Sequence, residues 1–452
     1  MKKKYGLWTT MLAMSLVFTA CSSNNGGSGN SPAASPSNAS PQAGESSAPP
    51  SGEPTKQLSL TIGLPGSYDV TKKEIIDQFI ATHPHITVKV EDAPWGDFVS
   101  KIATQIAGSS TPDVWFQENA TILGYGKRGV AEDLRPYIER DLNASDYIDA
   151  LFSARTSEGQ VWGVPHGINA VALAYNKSAF AAANVDLPTD DWTFADLIEA
   201  SKKLTVKEGK DTKQFGFVGN TSIATGWFPW IKQAGGFVLD DTKTKSMLDD
   251  PKTLEGLKQL RQGIEEGYFT NNDFVKANGT EMDVFATGKA AMYMMQYSQQ
   301  VGMNTSFPDA DWDVVKVPKA VDGNRYVPMV TNSWLISSRA SGDSKEAAWQ
   351  FLKFYLGDEA QKIVAESGAS IPVKKSAYEV FGTSTTKPLN KNGFIEGVSE
   401  GGVTTDENAS WAEWRLLVQQ EVNDAVVQGT KSVEDALTAA HKSVQQVLDE
   451  NQ

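Results

Sequence analysis

Between residues 57 and 116 the apolar side chains switch back and forth between two spacings. Residues 57–63 (QLSLTIG) put Leu58, Leu60 and Ile62 at alternate positions, the repeat of a strand with one buried face. After a loop over 64–70, Thr71 and Glu74 stand in capping-box spacing ahead of Ile75, Ile76, Phe79 and Ile80, which predicts a helix stopping before His83-Pro84. Residues 86–90 (ITVKV) return to the strand repeat. Phe98, Ile102 and Ile106 then share one helical face ended by Gly108, and residues 113–116 (DVWF) read as a buried strand. Strand, helix, strand, helix, strand is the order of an α/β layer built on a parallel sheet.

The same order recurs further on. Residues 170–175 (AVALAY), 290–295 (AAMYMM), 312–317 and 332–337 read as strands. Thr193 and Asp196 open a helix reaching Leu204, and Leu254, Leu257, Leu260 and Ile264 mark another. Two amphipathic helices follow through about residue 366, and Ser432 with Asp435 opens the last one. No short repeat is visible. The expectation is two α/β lobes of similar size.

The chain begins differently. Lys2, Lys3 and Lys4 precede an apolar run over 7–18, about a dozen residues long, whereas a spanning helix needs about 20. This is the layout of a secretory signal peptide, expected to cover residues 1–20. Phe18-Thr19-Ala20-Cys21 resembles the lipobox of bacterial lipoproteins, with Phe18 where Leu is usual. In that class the cysteine is lipidated and becomes the mature N-terminus, and Cys21 is the only cysteine of the chain. The alternative is a chance cysteine behind a cleaved signal. Residues 22–56 contain no Val, Ile, Leu, Met or aromatic residue, so they cannot bury enough surface to offset ordering. As a flexible tether of about 35 residues they reach roughly 30–35 Å. Removing residues 1–20 with their three lysines takes the formal charge from −14 to about −17. Such a balance argues against nucleic acid as a partner, and membrane contact is expected through lipid.

Several ordered blocks carry a resemblance. "SSTPDVWFQENATILGYGKRGVAEDL" and "GQVWGVPHGINAVALAYNKSAF" are followed by "FATGKAAMYMM", "SKEAAWQFLKFYLGDEAQ" and "SVEDALTAA". Together they are similar to family 1 extracellular solute-binding proteins, the maltose-binding-protein type, over nearly all of residues 57–452. The resemblance implies two lobes joined by crossing segments, with a sugar held in the cleft between them. It implies an N-terminal lobe of 57–168 and 331–371, and a C-terminal lobe of 169–330 and 372–452. The partners implied are a carbohydrate, an oligosaccharide by expectation, and an ABC import permease. The chain is expected to be a lipid-anchored monomer on the outer face of the bacterial cell membrane.

Carried over position by position, the resemblance puts Gly66, Ser67, Tyr68, Asp69, Trp95, Gln117, Glu118 and Asn119 at the cleft edge of the first lobe. The crossing supplies His166 and Asn169. The second lobe offers Trp227 and Trp230, and Tyr297, Asn332, Trp411 and Trp414 complete the set. The chain departs from the family in having Gln296-Tyr297-Ser298 where Gly-x-Trp is usual, and Val330-Thr331 before Asn332 where Gly-Gly is usual.

The residue types suit the task independently of the resemblance. A pyranose ring has an apolar face and a rim of hydroxyls, so its binder needs flat aromatic walls with amide, carboxylate or imidazole partners. Trp227 and Trp230, like Trp411 and Trp414, are spaced to share a helical face; core packing explains the same spacing equally well. Residues 124–129 fit G-x-G-x-x-G, but the motif lies about seven residues beyond its strand, and Gly129 reads instead as a helix C-cap. Of His83, His85, His166 and His441, none has acidic or cysteine company suited to a metal, and no cofactor or metal is expected. Alternatives to a transport receptor are a secreted glycoside hydrolase, which would need a facing carboxylate pair, and a sensory lipoprotein.

Overall fold

The computed structural model describes residues 56–66, 70–148, 159–368, 370–383 and 386–451. The expected signal peptide, Cys21 and tether therefore lie outside the described residues, as do Ser67, Tyr68 and Asp69.

Ten strands form one mixed sheet. They are β1 (Leu58–Pro65), β2 (Ile86–Ala93), β3 (Val114–Glu118), β4 (Val164–Asn176), β5 (Val206–Glu208), β6 (Asp211–Phe217), β7 (Ala290–Gln296), β8 (Trp312–Val315), β9 (Val327–Ile336) and β10 (Gly402–Val403). The order is β2-β1-β3-β9-β4-β7-β6-β5, with β10 on β9 and β8 on β4. In the first lobe β1 pairs in parallel with β2 and β3. In the second, β6 pairs in parallel with β7. The first set is the strand–helix–strand unit expected from the periodicity, whereas β6 has no counterpart among the expected strands, and the expected strands over 170–175 and 290–295 pair antiparallel.

Two long strands join the lobes. The end of β9 pairs antiparallel with β3, from Glu118↔Asn332 to Val114↔Ile336. Its middle pairs with the start of β4, after which β4 continues into the second lobe against β7 and β8. The sequence shows only parts of these strands, 170–175 and 332–337. Pro165, Gly167 and the polar pair Thr331-Asn332 interrupt the apolar pattern where the strands cross. A two-lobe α/β architecture with flanking helices results.

Local signals are kept where nothing nonlocal competes. Thr193 and Asp196 form a reciprocal capping box on the helix Phe194–Leu204, and the Ser432 side chain accepts from the Asp435 N–H at the start of Val433–Glu450. The box expected at Thr71–Glu74 does not form. Thr71 already lies inside a π-helical turn, Thr71–Ile76, that runs into the helix Asp77–Thr82. Its hydroxyl is 3.0 Å from His166 Nε2, so a tertiary partner takes the group that would have capped the helix. Ile75, Ile76 and Phe79 are buried as expected, but Ile80 is 39% exposed, because the buried stripe is too narrow to include it. Gly129, at φ +67°, closes the helix Asn119–Lys127. Its N–H donates to the Gly126 carbonyl, while the Val130 N–H reaches back to Tyr125, the Schellman pattern.

Candidate functional site

The carboxyl ends of the parallel strands define where a ligand can lie in an open α/β sheet. In the first lobe β1, β2 and β3 lead into Gly66, Pro94-Trp95 and Glu118-Asn119; in the second, β6 and β7 lead into residues 218–222 and 297–298. Strand register then aligns two expected site positions with the crossing. Glu118 faces Asn332 across β3 and β9, and Asn332 faces Gly167 across β9 and β4. Glu118 and Asn332 are both partly exposed there. Asn169, two residues along the crossing, accepts the Ser298 N–H at 2.9 Å through Oδ1, which ties β4 to the segment following β7.

Trp95 opens the helix Trp95–Ala107 and is 42% exposed. Its ring meets Phe116 of β3 in a T-shaped contact, with centroids 6.0 Å apart at 83°. Among the expected aromatic residues that are described, it is the one with substantial exposure to solvent. Gln117 turns away from solvent, and its amide donates to Thr121 Oγ1 at 2.8 Å. Asn119 begins the helix Asn119–Lys127, and its side chain is not among those described.

The other expected contacts sit differently. The β4 pairing slips between Pro165 and Gly167, leaving His166 as the bulged residue. Its ring turns into the first-lobe core, between Phe116, Trp334 and Tyr355 at centroid distances of 5.3, 5.9 and 5.3 Å. Burial depresses its pKa to about 3, so the imidazole is neutral at physiological pH. It is a core residue bonded to Thr71, and its imidazole does not face the cleft.

Trp230 is 0% exposed, enclosed by Phe194, Phe217 and Phe269. Trp227 is equally buried, and its indole N–H donates to Gln419 Oε1 at 3.3 Å. Tyr297 packs between Phe381 and Phe394, both with centroids 5.2 Å away, and burial pushes its phenol pKa up. Trp411 and Trp414 do share one face of the helix Trp411–Val422, with rings 6.3 Å apart, but that face points inward. Their N–H groups donate to Thr405 Oγ1 and Asn408 Oδ1. These five aromatics were expected to wall the cleft. Instead they build the core, because the same spacing that aligns them for a ligand aligns them for packing. Trp162, just before the crossing and outside the expected set, is half-buried, with its ring laid against Gly126, where an added Cβ would fall 2.3 Å away.

Among the described residues no group of His, Cys, Asp and Glu side chains is arranged to hold a metal ion. The site supplies one exposed aromatic residue, a carboxylate at the end of β3 and the amide of Asn332 paired with it on β9, an arrangement suited to binding.

Residues 74–393 match the model of the bacterial extracellular solute-binding protein family. The maltotriose-binding protein of Pyrococcus abyssi (strain GE5 / Orsay) is 26% identical over 307 residues, 67% of this chain and 63% of that one. The maltodextrin-binding protein of Bacillus subtilis (strain 168) is 22% identical over 333 residues, 70% of this chain and 74% of that one. An ABC substrate-binding protein from Listeria monocytogenes, solved with cycloalternan, superposes with a TM-score of 0.76. It is 24% identical and is matched over 87% of this chain and 100% of its own.

Proposed function

Since the chain belongs to the bacterial extracellular solute-binding proteins, we propose that its solute is a carbohydrate, an oligosaccharide, captured between the lobes and delivered to an ABC import permease. The observation that carries this reading is Trp95, an exposed tryptophan just beyond the carboxyl end of β2. Glu118 and Asn332 sit side by side across the neighbouring strands. An aromatic face beside hydroxyl partners is what a pyranose needs. The maltotriose- and maltodextrin-binding relatives support the same class of ligand.

On this reading the lobes are 57–168 with 331–371, and 169–330 with 372–452. Ser67, Tyr68, Asp69 and Asn119 complete the first-lobe rim. Cys21 is lipidated and tethers a monomer to the outer face of the cell membrane, and no glycosidic bond is cleaved.

Calorimetric titration across a panel of mono- and oligosaccharides tests the reading, with recovery of the bound sugar checked afterwards. Saturable binding with the sugar returned intact is expected. Steady release of shorter sugars in proportion to protein would instead establish a hydrolase, and no binding across the panel would remove carbohydrate as the ligand.

A further inference from the structure

The G-x-G-x-x-G spacing of residues 124–129 serves packing. Gly129 ends the helix Asn119–Lys127, and Gly126 admits the Trp162 ring. Gly124 lies against the loop that precedes the helix Trp411–Val422, where an added Cβ would fall 3.1 Å from the Ala409 carbonyl oxygen. One turn on, Lys127 Nζ donates to the Asn451 carbonyl at 2.7 Å, at the C-terminal end of the helix Val433–Glu450. The helix Asn119–Lys127 follows directly from β3, in the proposed first lobe. Residues 411–450 are held by the second. Trp227 Nε1 donates to Gln419 Oε1 at 3.3 Å, Arg261 Nη1 to the Val426 carbonyl at 2.9 Å, and the Ser246 N–H to Gln445 Oε1 at 2.9 Å. Gly124–Ala409 and Lys127–Asn451 are therefore contacts between the lobes.

This seam is loosely packed. A groove of about 540 Å³ runs along it, lined by Thr121, Tyr125 and Arg128 on one side and by Ser410, Ala412 and Glu413 on the other. Protein interiors are close-packed, so an interface that keeps a groove of this size has room to tighten. The charges across it are complementary. Lys127 and Arg128 stand exposed on the first-lobe side, and the Arg128 guanidinium lies over the Tyr125 ring, 5.0 Å from its centroid. Glu413 stands exposed on the second-lobe side, where Asn451 Nδ2 donates to its Oε2 at 3.4 Å. The carbonyl end of the helix Val433–Glu450 adds partial negative charge beside it. Among the described residues neither Arg128 nor Glu413 has an ion-pair partner.

We propose that the seam is an electrostatic latch between the lobes. As they draw together, Arg128 and Glu413 close across the groove into an ion pair, which joins the Lys127–Asn451 bond in holding the closed form. Gly124 lets the two sides approach because it has no side chain to meet the Ala409 carbonyl. The proposal rests on the two-lobe carbohydrate reading above. Neither charged residue belongs to the proposed sugar site, so the latch acts on affinity through the balance of open and closed forms.

The test is a charge-reversal cycle on the full chain: wild type, Arg128→Glu, Glu413→Arg and the two together. Each is titrated calorimetrically with glucose, galactose and mannose oligomers from disaccharide to hexasaccharide, and small-angle scattering is recorded without sugar. Both positions are exposed, so all four proteins are expected to fold, which melting checks. Each single reversal sets like charges across the groove and should lower affinity by about 3- to 10-fold for every oligomer that wild type binds. It should also enlarge the sugar-free radius of gyration. The double variant restores opposite charges and should return both readouts to wild-type values, a recovery that damage to either helix alone would not give. Single variants that bind as wild type does, or a double variant as weak as the singles, overturn the latch and leave carbohydrate capture intact. Failure of wild type to bind any oligomer overturns the carbohydrate reading instead. Scattering then decides the latch: expansion in the singles with recovery in the double supports it, and identical curves overturn it.

Discussion

Trp95 and Trp230 carry the same chemistry in opposite surroundings, and a pair of alanine variants separates them. Trp95→Ala is expected to cost about 1–3 kcal/mol of ligand affinity, taking the alanine truncation of base-stacking aromatics as the guide, with little change in melting temperature. Trp230→Ala empties a site walled by three phenylalanines and is expected to cost about 3–5 kcal/mol of stability. Its affinity should fall only as the folded fraction falls. Calorimetric titration alongside thermal melting reads both, and normal affinity in a folded Trp95→Ala protein would remove Trp95 from the site. His166 makes a separate prediction. Its folded pKa of about 3 lies below the unfolded value of about 6.5. Between those values the unfolded chain binds a proton that the folded chain does not. Stability should therefore decline as pH falls from about 6.5 toward 3, by at most about 1.4 kcal/mol per pH unit from this group. His166→Gln, which keeps a polar partner for Thr71, should flatten that part of the profile in melts taken between pH 7 and 4. A profile as steep as wild type would mean that other groups set the acid sensitivity.

At the scale of elements, the ends of helices were the most legible feature where their partners are local. The Thr193–Asp196 box and the Gly129 terminus depend on residues within one turn, and both form as the spacing predicts. Gly129→Ala forces a Cβ into the left-handed region and is expected to cost about 1–2 kcal/mol, seen as a lower melting temperature with unchanged affinity. An unchanged midpoint would show that the terminus relaxes to another cap. Thr71 is the counter-case. Its spacing to Glu74 is correct, yet its hydroxyl bonds a histidine 95 residues away. No window of a few residues contains that information.

For the whole molecule, the proposed lobe boundaries cross along β4, along β9 and after Ile371, so relative lobe motion is expected to be absorbed at these crossings, near Gly167 and Thr331 in the two strands. A ligand can shift that equilibrium only through its different affinity for the open and closed forms, which requires contacts to both lobes. Small-angle scattering on the compact unit Thr55–Gln452 is expected to show a smaller radius of gyration on saturation with sugar. An identical curve at full occupancy would count against closure. Anchoring is tested in cells: Cys21→Ala should abolish lipid labelling and release the protein or leave its precursor uncleaved, whereas normal labelling would exclude Cys21 as the anchor.

The sequence by itself determined the α/β class, the first lobe's parallel strand–helix–strand unit, the order of family blocks and the strand end where Glu118 sits. All of these follow from apolar period, turn chemistry and ordered motifs, which are properties of neighbouring residues. Only the tertiary structure decided which tryptophans are walls and which are core. Trp95 and Trp230 differ in what other elements pack against them, and for Trp230 those are Phe194, Phe217 and Phe269, from separate segments of the chain. It also decided that β4 and β9 run on through their polar and Pro/Gly positions, with a single bulge at His166. Each supplies the other's backbone partners there, so main-chain pairing rather than an apolar repeat holds the crossing together.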